Sequence, residues 1–320
     1  MRAFSFRAHP SRRVGATLRP DGRPGYPPVM IELESGDYSA AVSPFGAELR
    51  SWRAGGHELL WQGDPGWWAQ SAPVLFPIVG WARDGLVRID GIARPMGVHG
   101  FAAQGAFAID TVARDHVRLT LRETGASLAA YPFPFRLTLE YRLAHESLAA
   151  TVEVENTGAR TMPFAVGLHP GFNWPLAGGQ RESHATVFEA AEASDVPVIA
   201  PGGLFSSARR PVPLVDRRLP LNDKTFAAEA LCFLNARSRS VRYEAGPRDP
   251  AVTLAATGFP HWAIWSKPGA PFVSIEAWTG HGDPEGFEGE LKDKPSMRLL
   301  ASGASDRCSL VMSYSANREP

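Results

Sequence analysis

A chain of 320 residues with 44% hydrophobic and 21% charged content has ample material for a packed core and reads as a soluble globular protein. Its formal net charge of +0 offers no general attraction to nucleic acid or to an anionic membrane. No run of about 18 apolar residues would span a bilayer, and no apolar stretch near the N-terminus marks a secretory signal.

Residues 1–29 carry Arg2, Arg7, Arg12, Arg13, Arg19 and Arg23 against Asp21 alone, a local charge of about +5 that leaves the rest near −5. The segment is rich in Pro and Gly and lacks an apolar face. It is expected to be a disordered basic extension, with residues 30–320 forming a single β-sandwich domain.

From Met30 onward the dominant period is two. Ile31–Glu34, Leu86–Asp90, Val117–Arg122, Leu137–Leu143 and Leu148–Val154 alternate apolar and polar residues, the pattern of antiparallel strands with one face in the core. Asp84-Gly85, Asp90-Gly91, Asn156-Thr157-Gly158 and Gly178-Gly179 mark turns. Further strands fit 239–244, 252–256, 261–266, 271–276, 297–300 and 308–314. Helical periodicity is scarce, residues 226–231 being the best short candidate, and 28 Pro with 31 Gly disfavour long helices. The expected fold is all-β, one large antiparallel β-sandwich of many short strands. Cys232 and Cys308, the only cysteines, lack metal-ligand spacing and read as reduced thiols of a cytoplasmic protein.

Three short motifs carry proton-transfer residues beside aromatics: Val98-His99-Gly100-Phe101-Ala102, Gly167-Leu168-His169-Pro170-Gly171-Phe172-Asn173-Trp174-Pro175, and Val273-Ser274-Ile275-Glu276-Ala277-Trp278. Alternation places Ser274, Glu276 and Trp278 on one strand face. A carboxylate within so apolar a strand is costly unless paired, and burial would raise its pKa toward that of a useful base. Two histidines and a glutamate, if brought together, form an acid/base set without a nucleophile or metal. The aromatics suit a ligand with apolar faces and many hydroxyls, which suggests a sugar.

In this order, the three motifs resemble the aldose 1-epimerase (galactose mutarotase-like) superfamily, particularly its LacX-like branch. Ser43–Trp52, Pro73–Gly80 and the acidic, Gly-rich loop from Gly280 to Lys294 extend the resemblance over Met30 to Ser315. The resemblance implies a large β-supersandwich and an isomerase that interconverts α and β anomers of a free hexose without a cofactor or metal. It implies Glu276 as the base at the C1 hydroxyl, His169 as the acid at the ring oxygen, and His99 and Trp278 as sugar-binding residues. The implied partner is a small sugar, with no nucleic acid and no membrane.

Two positions depart from the pattern. Where many LacX-like members carry arginine after Val-Gly, this chain has Trp81, followed two residues on by Arg83. In an extended segment the two side chains would share a face about 7 Å apart. Arg83 would then supply the sugar-binding guanidinium while Trp81 stacks on the ring; otherwise Arg83 is a solvated residue beside the Asp84-Gly85 turn. The second departure is Glu229, which stands where the family usually has a sugar-contacting aspartate, with Asp223 as the competitor.

Three rival functions remain at this level. A hexose-6-phosphate 1-epimerase would need convergent cations, for which Arg53, Arg83, Arg94 and Arg181 are candidates. A non-catalytic carbohydrate-binding protein would leave the acid/base set idle. A glycoside hydrolase would need two flanking carboxylates, and only Glu276 sits in a convincing motif.

All three motifs lie beyond Met30, so a chain beginning at Met30 is expected to fold and exchange anomers as the full chain does. Melting temperature and turnover of the two, side by side, check this. A clear drop in either for the shorter chain would show that residues 1–29 serve the domain.

Overall fold

A computed structural model describes residues 30–316, so the expectation for residues 1–29 lies outside the described residues. The fold is built almost entirely of antiparallel strands in several sheets, with only short helices between them. The largest sheet has nine strands in the order Arg218–Pro220, Ala185–Phe188, Ser240–Glu244, Ala251–Thr257, Ser305–Ser315, Ser147–Asn156, Phe135–Ala144, His116–Arg122 and Ala108–Val112.

The period-two segments make the centre of this sheet. In Ser147–Asn156 every second residue is buried, from Leu148 through Val154 to Asn156. Its register sets Val152 opposite Leu139 on one side and Cys308 on the other, and Leu148 opposite Leu143 and Met312. One apolar face therefore runs unbroken across the strands, which is the unit of sheet stabilisation.

A second sheet orders Leu231–Phe233, His261–Trp265, Phe272–Trp278, Gly167–Leu168 and Val74–Leu75, with Gly171–Asn173 also paired to Phe272–Trp278. Its central strand, Phe272–Trp278, is buried on both faces. Val273, Ile275 and Ala277 join Leu137, Leu139, Val152 and Leu310 of the large sheet in one apolar cluster. Phe272, Ser274, Glu276 and Trp278 point the other way, and Glu276 and Trp278 line the cavity described below.

The expected helix at 226–231 is corrected to Asp223–Phe226. Asn222 caps it by accepting the Thr225 N–H at 3.1 Å, and the chain leaves helical geometry before Glu229, whose φ is +68°. A second helix, Gly125–Ala130, is one the periodicity did not reveal. It is held by a reciprocal cap in which Thr124 accepts from Ser127 N–H and Ser127 accepts from Thr124 N–H. Also unforeseen is the hairpin Asp195–Ala200/Leu204–Pro211, whose tip reaches over the cavity. No helix among the described residues is long and apolar enough to cross a membrane.

Candidate active site

The site is set by strand register. Leu168 lies opposite Ala277 and Gly171 opposite Ser274, so the same register places His169 across from Glu276. The side chains meet: His169 Nε2 lies 3.1 Å from Glu276 Oε2, and both are almost fully buried. Ser274, two residues before Glu276, sits 2.8 Å from His169 Nδ1 and 3.1 Å from the Pro170 carbonyl. With its hydroxyl donated to that carbonyl, Ser274 accepts the Nδ1–H, which turns Nε2 toward Glu276. Trp278, two residues further on, donates its indole N–H to Glu276 Oε2 at 2.9 Å.

Burial governs the protonation of this pair. Desolvation pushes the Glu276 carboxyl well above the usual carboxylate range, against the Trp278 hydrogen bond that favours the anion. Desolvation likewise holds His169 well below the usual imidazole range, assisted by the nearby His99. Burial thus favours the neutral form of each group, so a proton held between them is drawn toward the carboxyl.

His99 reaches the same space from a tight turn. Its φ is +62°, and Gly100 follows at φ +77° with its backbone against Phe76, where a Cβ would fall 2.2 Å from the Phe76 carbonyl oxygen. His99 N–H donates to the Gly80 carbonyl, and Gly80 N–H donates to His99 Nδ1 at 3.1 Å. The tautomer follows: Nδ1 is the acceptor and Nε2 carries the hydrogen. Burial, with the Lys294 charge behind it, lowers the His99 pKa to about 4, so the ring is a neutral donor near pH 7.

These residues line a half-open cavity of about 700 Å³. Trp68 packs on His169 with ring centroids 4.8 Å apart, and Trp265 meets Trp68 edge-on at 5.6 Å. Trp81, Glu229, Trp278 and the hairpin tip from Ile199 to Phe205 also line it. Of the two competing acids, Glu229 faces the cavity, whereas Asp223 binds Arg181 at 3.3 Å and Gly269 N–H at 2.9 Å elsewhere. Trp68, Gln70, Trp265 and the hairpin escaped the motif reading.

The expectation for Arg83 is corrected. Ala82 is extended, but Arg83 opens the 3-10 turn Arg83–Gly85 and its guanidinium turns toward the carboxylate of Asp84. Arg83 pairs with Glu288 at 2.9 Å and does not line the cavity. Among the described residues, no group of three or more His, Cys, Asp or Glu has the arrangement of a metal site.

Comparison with known proteins agrees with this geometry. Residues 29–290 match the family model described as aldose 1-epimerase. The chain belongs to the aldose 1-epimerase family. Within that family it is similar to the plasmid-encoded protein LacX of Lactococcus lactis subsp. lactis, at 29% identity over 280 residues, which is 84% of this chain and 94% of that one. A galactose mutarotase related enzyme from Lactobacillus acidophilus superposes with a TM-score of 0.84 at 27% identity, covering 91% of this chain and 99% of that one. A galactose mutarotase-like protein from Lactobacillus casei superposes at 0.83 with 27% identity, covering 89% and 100%.

Arg83→Ala tests the corrected placement. Losing a surface ion pair should cost less than about 1 kcal/mol of stability and leave sugar affinity within about twofold. Denaturant melts and sugar titration measure the two quantities, and a tenfold loss of affinity would return Arg83 to the site.

Proposed function

We propose that this protein is an aldose 1-epimerase acting on a free, uncharged aldose. The observation that carries the reading is the buried His169–Glu276 contact at 3.1 Å, an imidazole nitrogen facing a carboxyl oxygen at the cavity. Hydroxyls of a bound sugar stabilise the Glu276 carboxylate, and the proton moves to His169. Glu276 then takes the C1 hydroxyl proton while His169 gives its proton to the ring oxygen. The C1–ring-oxygen bond breaks, the C1 carbonyl forms, the C1–C2 bond rotates, and the reverse transfers close the other anomer. Protons balance at each step, so the pair is ready for the opposite direction without exchange with solvent. His99 Nε2–H donates to a sugar oxygen, and Trp68 with Trp265 offers an apolar face to the ring.

The lining supports an uncharged substrate. Glu229 and Glu276 are the acidic residues in it, and among the described residues no lysine or arginine lines the cavity. The candidate cations are occupied elsewhere: Arg83 with Glu288, Arg94 with the Ala129 carbonyl at 2.7 Å, and Arg181 over the Trp174 ring at 3.6 Å. Arg53, on the Glu48–Ala54 strand, also lies outside the lining. A 6-phosphate would meet carboxylates where it needs guanidinium.

Glu276→Gln keeps the size of the side chain and removes proton transfer. Anomer exchange, followed by polarimetry or NMR on a panel of free and 6-phosphorylated hexoses, should fall by about 10²-fold or more while sugar binding survives. Near-normal exchange in this variant would take Glu276 out of the mechanism.

The pH profile is the second test. As pH falls, His99 gains a proton near pH 4 and the His169–Glu276 pair takes up a second proton below pH 6.5, which removes the acceptor. After subtraction of uncatalysed exchange, kcat/KM should stay level from neutrality downward and fall only in that acid range. A limb centred at 6.5 would mean that these histidines titrate as if exposed.

A further inference from the structure

The ladder that holds His169 is short of donors. Beyond the pairing of Val74–Leu75 with Gly167–Leu168, the register continues with Pro73 beside His169 and Ser71 beside Gly171. His169 N–H donates to the Pro73 carbonyl at 3.3 Å, and Gly171 N–H donates to the Ser71 carbonyl at 2.8 Å. Pro73 has no N–H to return the first bond, and Pro170 has none to offer between them. The Ser71 N–H does not return the second: it turns to Glu48, and the Gly171 carbonyl accepts from Trp61 N–H at 3.0 Å. The segment 71–73 is thus tied to His169 by bonds that run one way only.

Glu48 takes up the donors this ladder leaves over. Its Oε1 accepts the Ser71 N–H at 2.6 Å and the Ala72 N–H at 3.1 Å, and both residues are buried. Hydrogen bonds to a carboxylate are the strong class. Its Oε2 faces Arg50 Nη1 at 3.1 Å, and Arg50 reaches on to the Gln62 carbonyl at 3.3 Å. The backbone of Glu48 is itself anchored. Leu49 lies in the shared core, and the Ala47 carbonyl accepts from the buried Tyr141 hydroxyl at 2.8 Å. The Glu48–Arg50 pair therefore holds both ends of the loop 62–72, and Trp68 lies within it. The Trp68 carbonyl accepts the Trp61 indole N–H at 2.8 Å, and its ring packs on His169. Gly171 makes room for that ring, since a Cβ there would fall 2.6 Å from Trp68 Cζ3.

We propose that Glu48 is a positioning residue for the reaction, holding the segment 71–73 and Trp68 so that the His169 imidazole stays aimed at Glu276. Glu48 does not line the cavity, so it acts through the backbone it binds. Two N–H groups converging on one oxygen make the requirement specific. An amide oxygen at the same place can still accept both, whereas a methyl group leaves two buried donors unpaired. That this geometry serves anomer exchange rests on the epimerase reading; the tie from Glu48 to the imidazole does not.

The test uses the full chain with Glu48→Ala and Glu48→Gln. kcat and KM for anomer exchange are measured by NMR over the hexose panel, and the ring-nitrogen shifts of His169 are recorded on the same samples. In the wild type those shifts should show a protonated Nδ1, as its bond to Ser274 requires. Glu48→Ala should lose about tenfold or more in kcat, with the smaller part of the effect in KM, and its His169 shifts should move toward the average of the two tautomers. Glu48→Gln should recover most of both. Should Glu48→Ala fail to fold, Glu48→Asp carries the test, because it withdraws the carboxyl by one methylene, and the same losses are expected. Wild-type kcat and His169 shifts in the tested variant overturn the proposal, as does a loss confined to KM or one that Glu48→Gln does not recover. A wild type without anomer exchange on any hexose, whose His169 shifts still move in Glu48→Ala and return in Glu48→Gln, would keep the positioning role and overturn the epimerase reading instead.

Discussion

The site depends on one strand having two incompatible faces. Phe272–Trp278 offers Val273, Ile275 and Ala277 to the shared core and Ser274, Glu276 and Trp278 to the cavity. A slip of one residue would put the carboxyl in the core and the alanine at the chemistry, so the large core cluster enforces the register of the catalytic face. Pairing on both sides of His169, at Leu168 and at Gly171, carries that register to the imidazole. Packing between sheets therefore sets the acid–base distance.

The same burial that fixes the pair also sets its electrostatics. An isolated carboxylate at this depth would cost several kcal/mol. The Trp278 N–H offsets part of that penalty, and desolvation pushes the carboxyl toward its neutral form beside His169. Behind the opposite wall, Lys294 Nζ lies 2.9 Å from Asp283 Oδ1, and Asp283 Oδ2 accepts from Arg83 N–H at 2.8 Å. Because the Asp283 backbone also bonds Trp81 and Phe205, this buried pair ties the Gly80–Arg83 segment, the hairpin and the loop into one wall. Its ammonium further disfavours charge on His99, so a wall built for packing also keeps that histidine a neutral donor.

Where the chain is regular, its period-two pattern was readable, and the strands from Phe135 to Asn156 appear almost as alternation predicts. His169 and Glu276 were legible because polar proton-transfer residues in apolar, aromatic surroundings are expensive without a role. Arg83 misled because spacing does not fix where a long side chain ends: Ala82 is extended, yet the guanidinium is drawn to Asp84 and Glu288, outside the cavity lining. The hairpin Asp195–Pro211 went unread for a related reason: its outer strand is largely exposed and polar, so it lacks the alternation that a core imposes. Trp68 and Trp265 belong to the site through long-range contacts that no local pattern encodes.

The cavity has a buried floor at Glu276 and an exposed rim at Trp81. His169, Ser274, Glu276 and Trp278 lie on paired strands whose other face is core, so substitution there disturbs both chemistry and packing. Trp81 and Glu229 lie outside the strands and are exposed, so a new side chain there meets mainly solvent or ligand, whereas Gly203 and Phe205 of the hairpin are packed. Glu229 shows the tolerance directly: it sits at φ +68°, held by its carbonyl through Arg210 at 2.9 Å, so its carboxylate is not itself part of that anchor. A rim of this kind can trade a guanidinium for an indole, as the resemblance suggests at Trp81, without moving the proton pair. The strand face that holds His169 and Glu276 and the side of the cavity that holds Trp81 and Glu229 are thus separable, so the second can vary while the register that fixes the first is kept.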